Sequence, residues 1–172
     1  MAVIVPFDSS IHMEQFRQLC IETYTWHREA LMENHRIDFV SVLGKPIIEL
    51  VDARLDSYLN VDPSQRALYL LESEGEAAGM GAIQKIKGDI GDIGMMYTRP
   101  QYRRRGYARQ MLNRLLETGR EMGCSTFWLR TPKFSFAPHL YRSVGFEERD
   151  YPESMRLHSE LQPHWLFMEK IE

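Results

Sequence analysis

The chain is 172 residues long, 44% hydrophobic and 26% charged, which suits a single soluble globular domain spanning 1–172. That length buries about two thirds of the surface an unfolded chain exposes. With 21 Lys plus Arg against 24 Asp plus Glu the formal charge is -3, which argues against affinity built on neutralising the phosphates of nucleic acid.

The opening MAVIVPFDSS has too short an apolar run, and no basic lead, for a signal peptide. No later stretch approaches the roughly 18 apolar residues of a membrane span, so a cytoplasmic protein with no membrane partner is expected. Cys20 and Cys124 sit among apolar neighbours and read as packed, reduced thiols. There is no CxxC and no paired His/Cys spacing, so no metal is expected.

Val3 to Phe7 is short and β-rich, and Asp8, Ser9 and Ser10 are good helix N-caps. From about Ile11 to Leu31 the positions Phe16, Leu19, Cys20, Thr23, Tyr24 and His27 recur at steps of three and four, predicting the first helix. Gly44 and Pro46 open a second, with Ile48, Val51, Leu55, Tyr58 and Leu59 on one side, ending near Asn60. Ala67–Leu71, Ala77–Lys87 and Ile90–Thr98, separated by the turn signals Glu74-Gly75 and Gly88-Asp89, predict an antiparallel meander. After Pro100, the residues Ala108, Met111, Leu112, Leu115, Leu116, Gly119 and Met122 form the best helical stripe in the chain, with Gly123 placed to end it. Ser125–Thr131 reads as a strand parallel to Ile90–Thr98, because a long helix separates the two. A short helix over Ser135–Val144 and strands at Phe146–Tyr151 and Trp165–Ile171 complete an order β-α-α-β-β-β-α-β-α-β-β, joined late by the polar segment Pro152–Pro163. This is an α/β pattern, a mixed sheet with helices on its faces.

The chemistry concentrates between the strand Ile93–Thr98 and the helix beginning near Gly106. A helix N-terminus presents unpaired N–H groups and about half a positive charge, so an anion belongs there. Gly106 lets a ligand approach the backbone, Ala108 keeps the first turn uncrowded, and Arg103, Arg104 and Arg105 add positive potential. The segment therefore reads either as a pyrophosphate clamp or as a solvated basic turn capping a core helix. It is not GxGxxG and not GxxxxGK[ST], which disfavours NAD and ATP.

In context the segment resembles the GNAT superfamily of acetyltransferases, whose central motif is Q/R-x-x-G-x-G/A at this turn. Arg103, Gly106 and Ala108 match it, and Met96-Tyr97-Thr98-Arg99-Pro100-Gln101-Tyr102 looks like the family's approach to the motif. Downstream, Leu140-Tyr141-Arg142-Ser143-Val144-Gly145-Phe146 is similar to the family's L-Y-x-x-x-G-F. The resemblance covers most of the chain in element order and about residues 90–148 at motif level. It implies a mostly antiparallel twisted sheet of six or seven strands flanked by about four helices, with acetyl-CoA as cosubstrate. On that resemblance the pyrophosphate lies on the amides of Arg104, Arg105, Gly106, Tyr107 and Ala108 with Arg109 close behind. The pantetheine arm pairs with Met96, Tyr97 and Thr98 where that strand splays from its parallel neighbour. A strand N–H near Met96 then serves as the oxyanion contact.

The resemblance further implies that Tyr141 donates a proton to the departing thiolate, and that Asp92 is the base, where many members carry Glu. Glu22, His27 and Glu29 are alternative bases on the first helix. Trp26, His35, Phe39 and Trp165 are aromatic candidates for a pocket lining. The expected activity is acetyl transfer to the primary amine of a small molecule or peptide. The alternative from another class is a non-catalytic acyl-CoA binding module. A homodimer through an edge strand such as Trp165–Ile171 is allowed and not required.

Overall fold

The structure is a computed structural model describing residues 2–172. Seven strands, β1 (Ala2–Pro6), β2 (Arg66–Ser73), β3 (Glu76–Lys87), β4 (Ile90–Thr98), β5 (Thr126–Pro132), β6 (Glu147–Arg149) and β7 (Trp165–Ile171), form one sheet in the order β1-β2-β3-β4-β5-β7-β6. Every neighbouring pair is antiparallel except β4 with β5. That parallel pair is joined by a long helix crossover, as its connection length requires.

Five helices accompany the sheet: α1 (Ser9–His35), α2 (Phe39–Leu43), α3 (Ile47–Leu59), α4 (Tyr107–Glu121) and α5 (Ala137–Ser143). α1 starts where Asp8 accepts the Ser10 N–H at 2.8 Å. It runs four residues past the predicted Leu31, because its exposed last turn carries no apolar stripe to read and Arg36 ends it in a left-handed conformation at φ 58. Sequence periodicity also missed α2, whose five residues are too few to show a helical period.

Two cores sandwich the sheet. On one face, Met111, Leu112, Leu115 and Leu116 of α4 and Tyr141 of α5 pack on Ile83, Ile93, Phe127, Leu129 and Met168. On the other, Phe16, Leu19 and Cys20 of α1 and Val51, Leu55 and Tyr58 of α3 pack on Leu68, Leu70, Met80 and Ala82. Cys20 and Cys124 are buried free thiols. Trp165–Ile171 is not an edge strand: β7 lies between β5 and β6, leaving β1 and the three-residue β6 as the edges. No helix among the described residues is long and apolar enough to cross a membrane.

Candidate active site

The loop before α4 turns twice through left-handed backbone, at Arg104 (φ 60) and at the N-cap Gly106 (φ 80). No side chain caps the helix. The backbone N–H groups of Arg104, Arg105, Gly106, Tyr107, Ala108 and Arg109 have no acceptor among the described residues, and the first to return to the chain is that of Gln110, to the Gly106 carbonyl at 3.1 Å. A helix start always leaves donors unpaired, but here no side chain takes any of them. A Cβ built on Gly106 would meet nothing within 4 Å, so the space before these donors is open.

The arginine side chains divide into two roles. Arg103 donates from Nε to the Thr98 carbonyl at 2.9 Å and lies over the rings of Trp26 and Tyr97. Arg105 pairs with Glu74 at 3.2 Å and donates to the Gln101 carbonyl. Both pin the loop. Arg104 is exposed with no protein partner among the described residues, and Arg109 donates to Ser143 Oγ at 2.8 Å, tying α4 to α5. Tyr107 turns its hydroxyl to Ser73 at 3.4 Å.

Beside this loop, β4 separates from β5. Their pairing runs from Ile90 with Thr126 to Ile93 with Leu129 and stops, although both strands continue. Against β3, the register shifts between Met80, opposite Tyr97, and Ala82, opposite Gly94. The extra residue is accommodated at Met95, whose φ is 55. The bulge changes the alternation of faces: Asp92, Gly94, Met95 and Tyr97 turn toward α1 and α3, while Ile93 and Met96 turn toward α4.

A cavity of about 310 Å³ opens at this separation, on the α1/α3 face. Asp92, Ile93, Gly94 and Met95 of β4 and Arg130 of β5 form its floor, and Arg54 of α3 and His27 of α1 reach in from the helices. Burial raises the Asp92 pKa above the usual carboxylate range, with Arg54 and Arg130 close enough to pull it back in part. Burial also holds His27 down at about 4 and pushes the Cys20 thiol up to about 12, so both are neutral near pH 7. A Cβ on Gly94 would sit 2.4 Å from Tyr58 Oη and 2.7 Å from Arg54 Nη2, so only glycine there lets α3 lay these two groups over the strand.

Tyr141 is buried on the opposite face, its ring edge-on to Phe146, and no hydrogen-bond partner for its hydroxyl is found among the described residues. Burial drives its pKa up, so it carries its proton at neutral pH. Asp92 and Tyr141 therefore stand on the two faces of the sheet, with the β4–β5 gap between those faces. Of the alternative bases, only His27 lines the cavity; Glu22 forms a two-pronged ion pair with Arg99, and Glu29 lies in a surface groove on α1. Phe39 and Trp165 line the cavity, Trp26 packs on Phe134 beside it, and His35 stacks on His164. Asp89 belongs to the β3–β4 turn, where it accepts a hydrogen bond from Ser125 Oγ.

Sequence reasoning missed three polar residues. Arg54 interrupts the apolar stripe Val51, Leu55, Tyr58, and that misplaced charge is a readable signal. Arg130 occupies the face of β5 opposite Phe127 and Leu129, which only the strand alternation marks. Thr131, two residues past the last β4–β5 pair, is buried with its Oγ1 unpartnered. Among the described residues no group of three or more His, Cys, Asp or Glu is placed to hold a metal ion.

The chain matches the Acetyltransferase (GNAT) family over residues 20–146. It is 35% identical over 107 residues to YjgM of Escherichia coli (strain K12), an uncharacterized N-acetyltransferase, across 59% of this chain and 64% of that protein, just under two thirds of its length. It is 30% identical over 144 residues to YsnE of Bacillus subtilis (strain 168), also an uncharacterized N-acetyltransferase, across 74% of this chain and 93% of that protein. Among solved structures, the PaiA N-acetyltransferase of Thermoplasma acidophilum in complex with coenzyme A superposes with TM-score 0.70 at 14% identity, over 100% of this chain and 99% of that one. A GNAT-family acetyltransferase of Staphylococcus aureus Mu50 superposes with TM-score 0.69 at 18% identity, over 99% of each chain. At such identities the superpositions speak for the fold; the sequence match over most of the chain speaks for descent, and the chain belongs to the GNAT acetyltransferase family.

Proposed function

We propose that the chain is an acetyl-CoA dependent N-acetyltransferase that moves the acetyl group directly to a primary amine, with one domain carrying both substrates. The observation that carries the proposal is the uncapped run of N–H donors from Arg104 to Arg109, open to solvent and adjacent to a strand pair that parts beside the half-buried carboxylate of Asp92. The residues fit acetyl-CoA. The amides suit a pyrophosphate at the positive end of α4, and the edge of β4 from Met96 to Thr98, left by β5, suits a strand-like amide arm. The unpartnered Thr131 hydroxyl is a buried polar group awaiting a partner. When bound, acetyl-CoA supplies an acyl carbon activated as a thioester and a thiolate leaving group.

Asp92 takes the proton from the incoming ammonium, leaving a neutral amine nucleophile. Its raised pKa makes it a stronger base than an exposed aspartate. An N–H of β4 near Met96 donates to the carbonyl oxygen as negative charge develops there. Tyr141, protonated at neutral pH, donates from the α5 side to the sulfur as the C–S bond breaks, and the proton that the nitrogen sheds on becoming an amide passes through water to restore the Tyr141 hydroxyl. The gap between β4 and β5 lets these groups act from both faces on one centre.

Calorimetric titration of CoA into the full chain, with thiol release from acetyl-CoA across a panel of primary amines, tests this. Saturable CoA binding and amine-dependent thiol release are expected. Tight CoA binding with no release from any amine would leave an acyl-CoA binding module in place of an enzyme, and failure to bind CoA would remove the proposal altogether.

A further inference from the structure

Granted the acyl-transfer reading above, the cavity floored by Asp92 says more about the acceptor. It holds three charged side chains, Asp92, Arg54 and Arg130. Neither arginine forms an ion pair among the described residues. Among the described residues the one side-chain hydrogen bond of Arg54 is to Tyr58 Oη at 3.2 Å, and that of Arg130 is to the Met155 carbonyl at 3.4 Å. Each guanidinium carries five N–H donors, so most of the donors in this pair have no protein acceptor. The rest of the lining is uncharged: Cys20, Thr23, Tyr24 and neutral His27 on one side, with an apolar end formed by Phe39, Leu43, Leu157, Leu161 and Trp165. The cavity has one positive charge in excess, and a half-buried cation without a counter-ion gives up part of its hydration for nothing in return.

We infer that the acceptor is a small amino carboxylate: its amine lies at Asp92, its carboxylate is held by Arg54 and Arg130, and an uncharged, preferably apolar side chain occupies the end formed by Phe39, Leu161 and Trp165. A carboxylate supplies the missing charge and accepts from the idle donors, and planar guanidinium is the group best matched to it. The position of Arg54 supports this. Its Nη2 lies over Gly94, two residues along β4 from Asp92 and on the same face, so a carboxylate bound there sets an amine a short distance away at the point where the strands part. The volume is at the lower end of the ~300–1,000 Å³ found for small-molecule sites, which suits a single amino acid and leaves little room for a folded chain. A polyamine would bring further positive charge against two arginines.

The test uses the full chain with L-methionine and L-phenylalanine, their carboxamides, the decarboxylated amine phenethylamine, and spermidine. Thiol release gives kcat and KM, and calorimetry with each acceptor alone gives binding independent of turnover. Expected is transfer to at least one free amino acid, with kcat/KM at least 100-fold lower for its carboxamide. Arg54→Ala and Arg130→Met should each raise KM for the amino acid at least tenfold while CoA affinity stays unchanged; Arg54→Lys, which keeps the charge and the packing stem, should lose less. Thermal melts identify any variant that fails to fold, and the conservative variant then decides. Faster transfer to phenethylamine, spermidine or the carboxamides than to the amino acids would overturn the inference and leave the acyl-transfer reading standing. Arginine-dependent amino-acid binding with no thiol release would keep the carboxylate site of Arg54 and Arg130 but overturn both the acyl-transfer reading and the acceptor role built on it. If no free amino acid in the set binds or reacts, the inference falls.

Discussion

Replacing Gly106 by alanine separates a phosphate clamp from a solvated basic turn. Gly106 holds φ 80, where an L side chain costs about 1–2 kcal/mol. Nothing lies within 4 Å of the added methyl, so no clash enlarges that cost. For a chain of this size about 2–4 °C is lost per kcal/mol, which predicts a melting temperature lower by about 2–8 °C. In a solvated turn that is the whole effect. In a clamp the methyl also stands where phosphate oxygens must approach the amides of Arg104 to Arg109. Loss of even one or two hydrogen bonds to a charged group, at about 1.5–3 kcal/mol each, amounts to about 3 kcal/mol, or about a 100-fold weaker Kd for CoA. Unfolding cannot mimic this, because losing 1–2 of the usual 5–15 kcal/mol leaves nearly all molecules folded at 25 °C. The assay is calorimetric titration of CoA into the wild type and Gly106→Ala, with thermal melts on both. Arg104→Ala is the control: its exposed side chain lies outside the amide array, so its effect should stay below tenfold. A lowered melting temperature with unchanged CoA affinity would refute the clamp.

Asp92→Asn should lower kcat/KM by about 100-fold or more, the usual contribution of a positioned base. Because burial raises the Asp92 pKa, and the group works only when ionised, wild-type activity should rise with pH through a value above the ordinary 3.8, a limb that the Asn variant lacks in a pH–rate profile. Tyr141→Phe should keep CoA binding and reduce kcat by about 100-fold; unchanged turnover would remove Tyr141 from the chemistry. His27, held at about 4 against an ordinary 6.5, binds its proton more readily in the unfolded chain. Stability is therefore lost as pH falls from 6.5 to about 4, by about 3 kcal/mol at roughly 1.4 kcal/mol per pH unit. Urea denaturation across that window should show a shallower slope for His27→Gln, and equal slopes would exclude His27 as the source.

Much of this was legible in the sequence, and what was lost follows a physical pattern. The meander, α3, α4 and the parallel β5 were readable because each pairs a strong apolar period with turn residues at both ends. α2 was not, because its five residues make little more than one turn, too few for an apolar period to repeat. The proposed donor half was readable because it is local: a strand, a turn and a helix start, contiguous from Met96 to Arg109, leave a run of N–H donors open by backbone geometry alone. The cavity proposed for the acceptor draws Asp92 from β4, Arg54 from α3, Arg130 from β5 and His27 from α1, and no spacing in the chain records their meeting.

The bulge at Met95 shows why the two halves resist one linear reading. Strict alternation from Ile93 would send Met95 to the α4 face and Met96 to the α1/α3 face. The extra residue reverses this, so Met95 joins Asp92 and Gly94 at the cavity on the α1/α3 face while Met96 packs toward α4 and α5. A single left-handed residue thus hands the strand from one compartment to the other, at the point where β5 has stopped pairing. β-branched residues resist φ values near 55, and the unbranched Met95 meets that demand at a lower steric cost. The proposed chemistry depends on that handover, because Asp92, proposed for the amine, and Tyr141, proposed for the thiolate, lie on opposite faces on either side of this gap.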